Sequence, residues 1–342
     1  MSFVRMVEVW RGPLVESAHL GVAAVANAHG EVIDGWGDTG LLAFPRSALK
    51  PVQAIALVET GADAALGLTS RHLALACASH RGEPFQTGLV ASWLADLKLD
   101  ESALACGPDA PADEAAAAAA YRDGHPRRRI FHMCSGKHCG FLSVARHRGW
   151  SHEGYDQLEH PAQQLYLDAL SELSGSDARA LPFGIDGCAL PAPALTVAGM
   201  AVTMARFAGA RAVSPARRAA IGTIHDAMRR HPEYVSGTGQ AGVEIARVTQ
   251  GRVIMKTGAE GFMTAFVPGA GLGVALKIQD GQARARMPAL IGVLSAVGLL
   301  DAGERQALSD LAGPPVHNST GAVVGRVQAC GFPTASGRTL AK

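Results

Sequence analysis

The strongest constraint on the fold is a change of period along the chain. Residues 4–37 alternate apolar and polar side chains as a half-buried strand does, first in VEVWRG and then in LGVAAVANAHGEVIDGWG. Asn27-Ala28-His29-Gly30 breaks that run with residues suited to a turn. Near the other end, VEIARVTQGRVIMKTGAEGFMTAFVPGAGLGVALKIQDG, from 243, has short apolar runs separated by glycines, which predicts three or more antiparallel strands. Between these ends the period is helical. A helix is predicted over about 47–60, closed by Gly61, and others within 71–123, over 158–175 and over 192–231. The alanine run near 113–122 needs only alanine's helix propensity. PALIGVLSAVGLLD (288–301) returns to helix. The expected fold is α/β (α+β). One antiparallel sheet is built from both chain ends, about 1–50 and 240–342, and carries a mostly helical middle, about 51–235. No Pro/Ser-rich linker or internal repeat divides residues 1–342, which read as a single unit.

Composition removes several function classes. A chain of 342 residues with 48% hydrophobic and 18% charged residues is globular. A net charge of +1 offers no electrostatic case for nucleic acid or an anionic membrane, and the one basic cluster, HPRRRIFH (125–132), is short. No uncharged apolar run of about 18 residues suggests a membrane span. MSFVRMVEVWRGP lacks the apolar run and cleavage site of a signal peptide. The six cysteines are sparse and unevenly placed, which favours reduced thiols or a metal site over a disulfide framework. A cytoplasmic protein is expected, in which the Asn318-Ser319-Thr320 glycosylation acceptor has no meaning.

The basic residues are 25 arginines and only six lysines, at 50, 98, 137, 256, 277 and 342. Arginine keeps its proton in proteins, whereas a desolvated lysine can lose it. Three of the six lie in motifs with chemistry in them. Ser47 and Lys50 share a helix face at i and i+3, and a desolvated lysine can act as base to a serine nucleophile. Lys256-Thr257-Gly258 follows a strand-like run; the glycine leaves the strand edge open, and the lysine and threonine can hold an anion. Between them, Cys77-Ala78-Ser79-His80-Arg81-Gly82 is a polar turn after an apolar helix. Ser-x-x-Lys, a serine-bearing turn and a late Lys-Thr-Gly come in the order of penicillin-recognising acyl enzymes, but SHR stands where those have S-D-N.

The third lysine lies in HMCSGKHCG (132–140), read as a glycine-rich turn, with GIDGCALPAP (184–193) further on. Thiolates favour zinc, which takes four ligands. Spacing alone suits His132, Cys134, Cys139 and Cys188 as well as any set with lysine, and buried free cysteines without metal fit equally.

WRGPLVES, FPRSALKPVQA, CASHRGEP, CSGKHCGFL, FGIDGCALP and KTGAEG together resemble the asparaginase II family, the rhizobial-type (class 3) L-asparaginases, from about residue 10 to 320. The resemblance implies a fold similar to serine β-lactamases and glutaminases, one catalytic unit over 1–342, and hydrolysis of L-asparagine to L-aspartate and ammonia. It implies Ser47 as nucleophile with Lys50 as its base, and Ser79 with Lys256 as a second serine–lysine pair. It places a Zn2+ site on Cys134, Lys137 and Cys188, completed by water, with Asp186 beside it. It also implies a homodimer. Arg46 and Arg81 are candidates for carboxylate contacts, Thr257 and Gly258 for substrate binding, and His80 and His138 for orienting ligands. The competing readings are a glutaminase, a β-lactamase-like hydrolase, and an inactive amidase scaffold that only binds.

Overall fold

In the computed structural model, which describes residues 2–211 and 213–332, eight strands form one antiparallel sheet. The order is Pro315–His317, Val323–Ala329, Val4–Arg11, Leu14–Asn27, Leu272–Ile278, Phe262–Val267 and Ile254–Thr257, with Val32–Trp36 also paired to Leu14–Asn27. The two chain ends are therefore interleaved. Val4–Arg11 pairs with Val323–Ala329 on one side and Leu14–Asn27 on the other, and Leu14–Asn27 pairs in turn with Leu272–Ile278. This is the mixed α/β arrangement expected from the change of period.

By contacts the chain divides into two units. The first is Met1–Ala48, Ala194–Arg211 and Glu244–Lys342, which holds the sheet; the second is Leu49–Pro193 and Ala212–Val243, which is mostly helical. The sheet is covered on both faces within its own unit. Val25, Val274, Leu276, Met263 and Ala265 share a buried cluster with Ala289, Leu290 and Val293 of helix Ala283–Ala296. The opposite face is small. Gly273 pairs with Ala26 and Ala275 with Ala24, and helix Val197–Gly209 lies against them. A Cβ at Gly273 would fall 2.2 Å from Ala205 N and 2.4 Å from Ala201 O. Strands buried on both faces lose strict alternation, which explains the continuous apolar run GVAAVA.

In the second unit, helices Ser70–Ala76, Pro84–Asp96, Ser135–His147, Pro161–Ser174 and Pro215–Arg230 pack on one another and on Ile55–Glu59. Three features depart from the sequence reading. VEIARV lies in helix Ala241–Val248 rather than a strand, with Ile245 fully buried. CSGKHCG is no turn: Ser135 opens helix Ser135–His147. The predicted helix over 47–60 is three short pieces, Arg46–Leu49, Lys50–Gln53 and Ile55–Glu59. Among the described residues no helix is long and apolar enough to cross a membrane.

Candidate active site

Lys50, in the second unit, is fully buried. Its ammonium nitrogen donates to the carbonyl of Ala78, to Ser79 Oγ at 3.2 Å and to the carbonyl of Met133 at 3.4 Å. Helix Ser70–Ala76 ends at Cys77, and the irregular chain after it is fixed by its own backbone. Ser79 N donates to Val235 O at 3.0 Å, and His80 N to Met133 O at 3.2 Å. Two distant segments thus present oxygens to one amine.

His80 is a strut in this wall. Gly82 N donates to Nδ1 at 3.1 Å, so the ring proton sits on Nε2 and is given to Ser135 Oγ at 2.7 Å; that hydroxyl donates to Ile130 O at 3.1 Å. Every polar atom of the ring is used inside the protein. Burial, and then the neighbouring Lys50 charge, push the His80 pKa down to about 3. His138 is also buried, but only its Nδ1 is bonded; its Nε2 has no hydrogen-bond partner among the described residues. Tyr155 Oη accepts from Ala105 N at 2.8 Å and shares a hydrogen bond with His138 Nδ1 at 2.6 Å. Burial and the Lys137 charge hold this imidazole well below its ordinary pKa. An unfolded chain would protonate both rings near pH 6.5, whereas the folded chain refuses those protons. Stability is therefore present above pH 6.5 and falls as the pH drops below it, by about 1.4 kcal/mol per pH unit for each ring. Urea denaturation at pH 7 and pH 5 should show that loss, and His80→Gln should remove about half of the slope.

Three residues converge in the same unit at the start of helix Ser135–His147. Gly136 permits this, because a Cβ there would lie 2.3 Å from Leu75 O. Helices Ser70–Ala76 and Ser135–His147 consequently meet backbone to backbone, and Lys137 is buried. Its Nζ donates to Cys188 Sγ at 2.9 Å. Cys188 is held on the turn between the short strands Phe183–Ile185 and Pro191–Pro193. Asp186 N donates to Leu190 O and Ala189 N to Asp186 O, both at 2.9 Å. Ala189 carries a left-handed φ of 73°, a strained conformation for a residue with a Cβ. Cys134 hydrogen-bonds Cys188. That bond, opposed by burial and helped by the Lys50 and Lys137 charges, holds the Cys134 thiol well below its ordinary pKa. The same bond, with burial, pushes Cys188 up. Burial works against charge on Lys137, but Cys188, Cys134 and Asp186 outweigh it and raise its pKa.

Cys134, Lys137 and Cys188 thus form one buried set, and His132 Nδ1 accepts from Cys134 N at 3.0 Å beside it. Cys139, the fourth member of the set that spacing suggested, interacts instead with Cys106. Burial raises both thiols, Cys106 to about 12. Among the described residues no group of three or more His, Cys, Asp or Glu side chains could hold a metal ion. Two sulfurs and, once deprotonated, the Lys137 amine fit the donor chemistry of zinc.

Ser47 and the Lys256-Thr257-Gly258 motif lie in the first unit. Ser47 is half-buried in the short helix Arg46–Leu49, directly after Arg46, whose φ is 50°. Lys256 is buried in strand Ile254–Thr257 and donates to Thr257 O at 3.0 Å. Gly258 N donates to Phe262 O at 3.0 Å, and a Cβ on Gly258 would lie 2.6 Å from Pro45 O. The Lys-Thr-Gly turn therefore packs directly on the segment that leads into Ser47. Arg81, in the second unit, is engaged with a segment 31 residues on, donating to Ala112 O at 2.5 Å. Asp186 is half-buried and accepts from Gly187 N at 2.7 Å. Lysine scarcity pointed well: Lys50, Lys137 and Lys256 are all buried. Sequence reasoning missed Ser135, Tyr155 and the Met133 carbonyl. Each acts through a partner remote in sequence and left no local pattern.

The sequence model of one family, L-asparaginase II, matches residues 7–329. No curated protein matches the sequence. Among solved structures, a β-lactamase from Mycobacterium bovis is similar over 85% of this chain and 95% of that one, at 17% identity and a TM-score of 0.41.

Proposed function

We propose a function from one premise: the chain belongs to the L-asparaginase II family. Membership makes it an amidohydrolase acting on a small molecule. Our reading is that it hydrolyses L-asparagine to L-aspartate and ammonia through a serine acyl-enzyme, and that it works as one catalytic unit, as a homodimer, in the cytoplasm. The observation that carries this reading is the fully buried Lys50 in hydrogen-bond reach of a serine, Ser79, at 3.2 Å.

In this mechanism Lys50 first gives up one proton to solvent; Ser47 then attacks the side-chain amide carbon, and the neutral Lys50 amine accepts the serine proton. Arg46 supports the assignment, because strain stored next to a reacting group is a recurrent device. The Ser47 N–H lies in the first turn of a helical segment, where backbone donors lack intrahelical acceptors, and it can face the oxyanion. Ser79, bonded to Lys50, passes a proton to the departing ammonia, with Lys256 as its second partner. Water then cleaves the aspartyl ester. Thr257 offers a hydroxyl to the α-carboxylate, and Gly258 ends the strand there without a side chain. Cys134, Lys137 and Cys188 would hold Zn2+, whose charge would help orient the α-amino or α-carboxylate end of the substrate. Before binding it, Lys137 must give up its proton.

Ammonia release from L-asparagine, L-glutamine and a chromogenic β-lactam separates the readings. Turnover of asparagine well above glutamine, with no β-lactam cleavage, is the expected result. Comparable rates with glutamine would make it a glutaminase, and binding without turnover would make it an inactive scaffold. Zinc measured in the purified protein should fall in Cys188→Ser.

A further inference from the structure

We infer that Arg286 is a positioning residue, which sets the Lys256-Thr257-Gly258 turn through the carbonyl of Gly258. It stands on helix Ala283–Ala296, whose Ala285, Ala289, Leu290 and Val293 are buried against the sheet, so its backbone has a firm base. Arg286 Nη1 donates to Gly258 O at 3.2 Å. The other polar atom of that glycine is also committed, since its N–H goes to Phe262 O at 3.0 Å. Its Cα presses on Pro45, where an added Cβ would lie 2.6 Å from the carbonyl oxygen. Gly258 is thus held from three directions, and Arg286 is the side chain among them.

This tie is costly. Arg286 Nε is buried with no hydrogen-bond partner among the described residues, and burial lowers the pKa of the group. Desolvating a guanidinium and leaving a donor unused are both unfavourable. A carbonyl at a strand end can be satisfied by water at little cost. A half-buried cation on that carbonyl fixes its direction, and with it the placement of Thr257 and Lys256 on the same strand end. The inference rests on the reading above that this turn meets the substrate. It adds a residue that no motif marks.

The test compares Arg286→Met and Arg286→Lys with the unaltered protein by two readouts. In hydrogen exchange, segment 256–262 should exchange about tenfold faster in Arg286→Met, while strand Leu272–Ile278 keeps its protection. In kinetics, KM for asparagine should rise about 10- to 100-fold with a smaller fall in kcat, and Arg286→Lys should recover part of the loss. Unchanged exchange in 256–262 overturns the inference. So does faster exchange with unaltered KM and kcat, which would leave Arg286 a structural tie alone. If Arg286→Met does not fold, Arg286→Lys carries both readouts. If the unaltered protein releases no ammonia from asparagine, the proposed activity fails, and the exchange readout alone decides the role of Arg286.

Discussion

Ser47→Ala should reduce kcat for asparagine by about ten-thousandfold or more and leave the protein folded. Removing a nucleophile leaves only binding and oxyanion stabilisation, so the loss is of that order rather than tenfold. The serine is half-buried at the start of a short helix, and its loss opens little space. Ser79→Ala is the necessary companion. As a proton carrier, Ser79 should be worth about a hundred- to a thousandfold. Steady-state ammonia release gives both numbers, and mass spectrometry of protein quenched with substrate would locate the acyl group. A more severe loss in Ser79→Ala, with the acyl group on residue 79, would exchange the two roles. Near-normal Ser47→Ala would remove Ser47 from the chemistry.

Lys50→Met should cost about a thousandfold or more in kcat, and Lys50→Arg should be no better. The contrast between the two is the informative part. On a surface, lysine to arginine is nearly silent. At residue 50 the side chain is fully buried, and its nitrogen meets the Ala78 and Met133 carbonyls and the Ser79 hydroxyl. A planar guanidinium is larger than this space, and it keeps its proton. Methionine fits the space but has no donor, and it leaves three oxygens to find other partners. Lys50→Met should therefore also lose about 1–3 kcal/mol of stability, read as a lower urea midpoint. Activity above a tenth of normal in Lys50→Arg would exclude residue 50 as the base.

The two glycine-rich motifs show where sequence reading stops. In CSGKHCG the glycines suggested a turn, yet Gly136 and Gly140 lie within a helix. Gly136 lets Leu75 O approach a site where any Cβ would clash, and a Cβ on Gly140 would rest 3.6 Å from Ala76 Cβ. A glycine that admits a neighbouring helix and a glycine that bends the chain look alike in sequence. VEIARV failed for a related reason. Val243 and Ile245 match a two-residue period over a stretch too short to separate it from a helical one, and the helix is amphipathic around Ile245. The long strand pattern of residues 4–37 was legible because it ran for many residues with one period.

From the sequence alone came the strands within 4–37 and 254–278 with a mostly helical middle between them, the segments holding the reactive groups, and the suspicion that a lysine-poor chain uses its lysines with purpose. These rest on local periodicity, composition and motif, which neighbouring residues carry among themselves. Tertiary structure alone decided that Lys50 meets Ser79, that Lys137 donates to Cys188, and that His80 is locked to Ser135. Such pairs are 29, 51 and 55 residues apart. No local preference encodes them, and they exist because packing desolvates each polar group until the one remaining partner is a group brought from elsewhere in the chain.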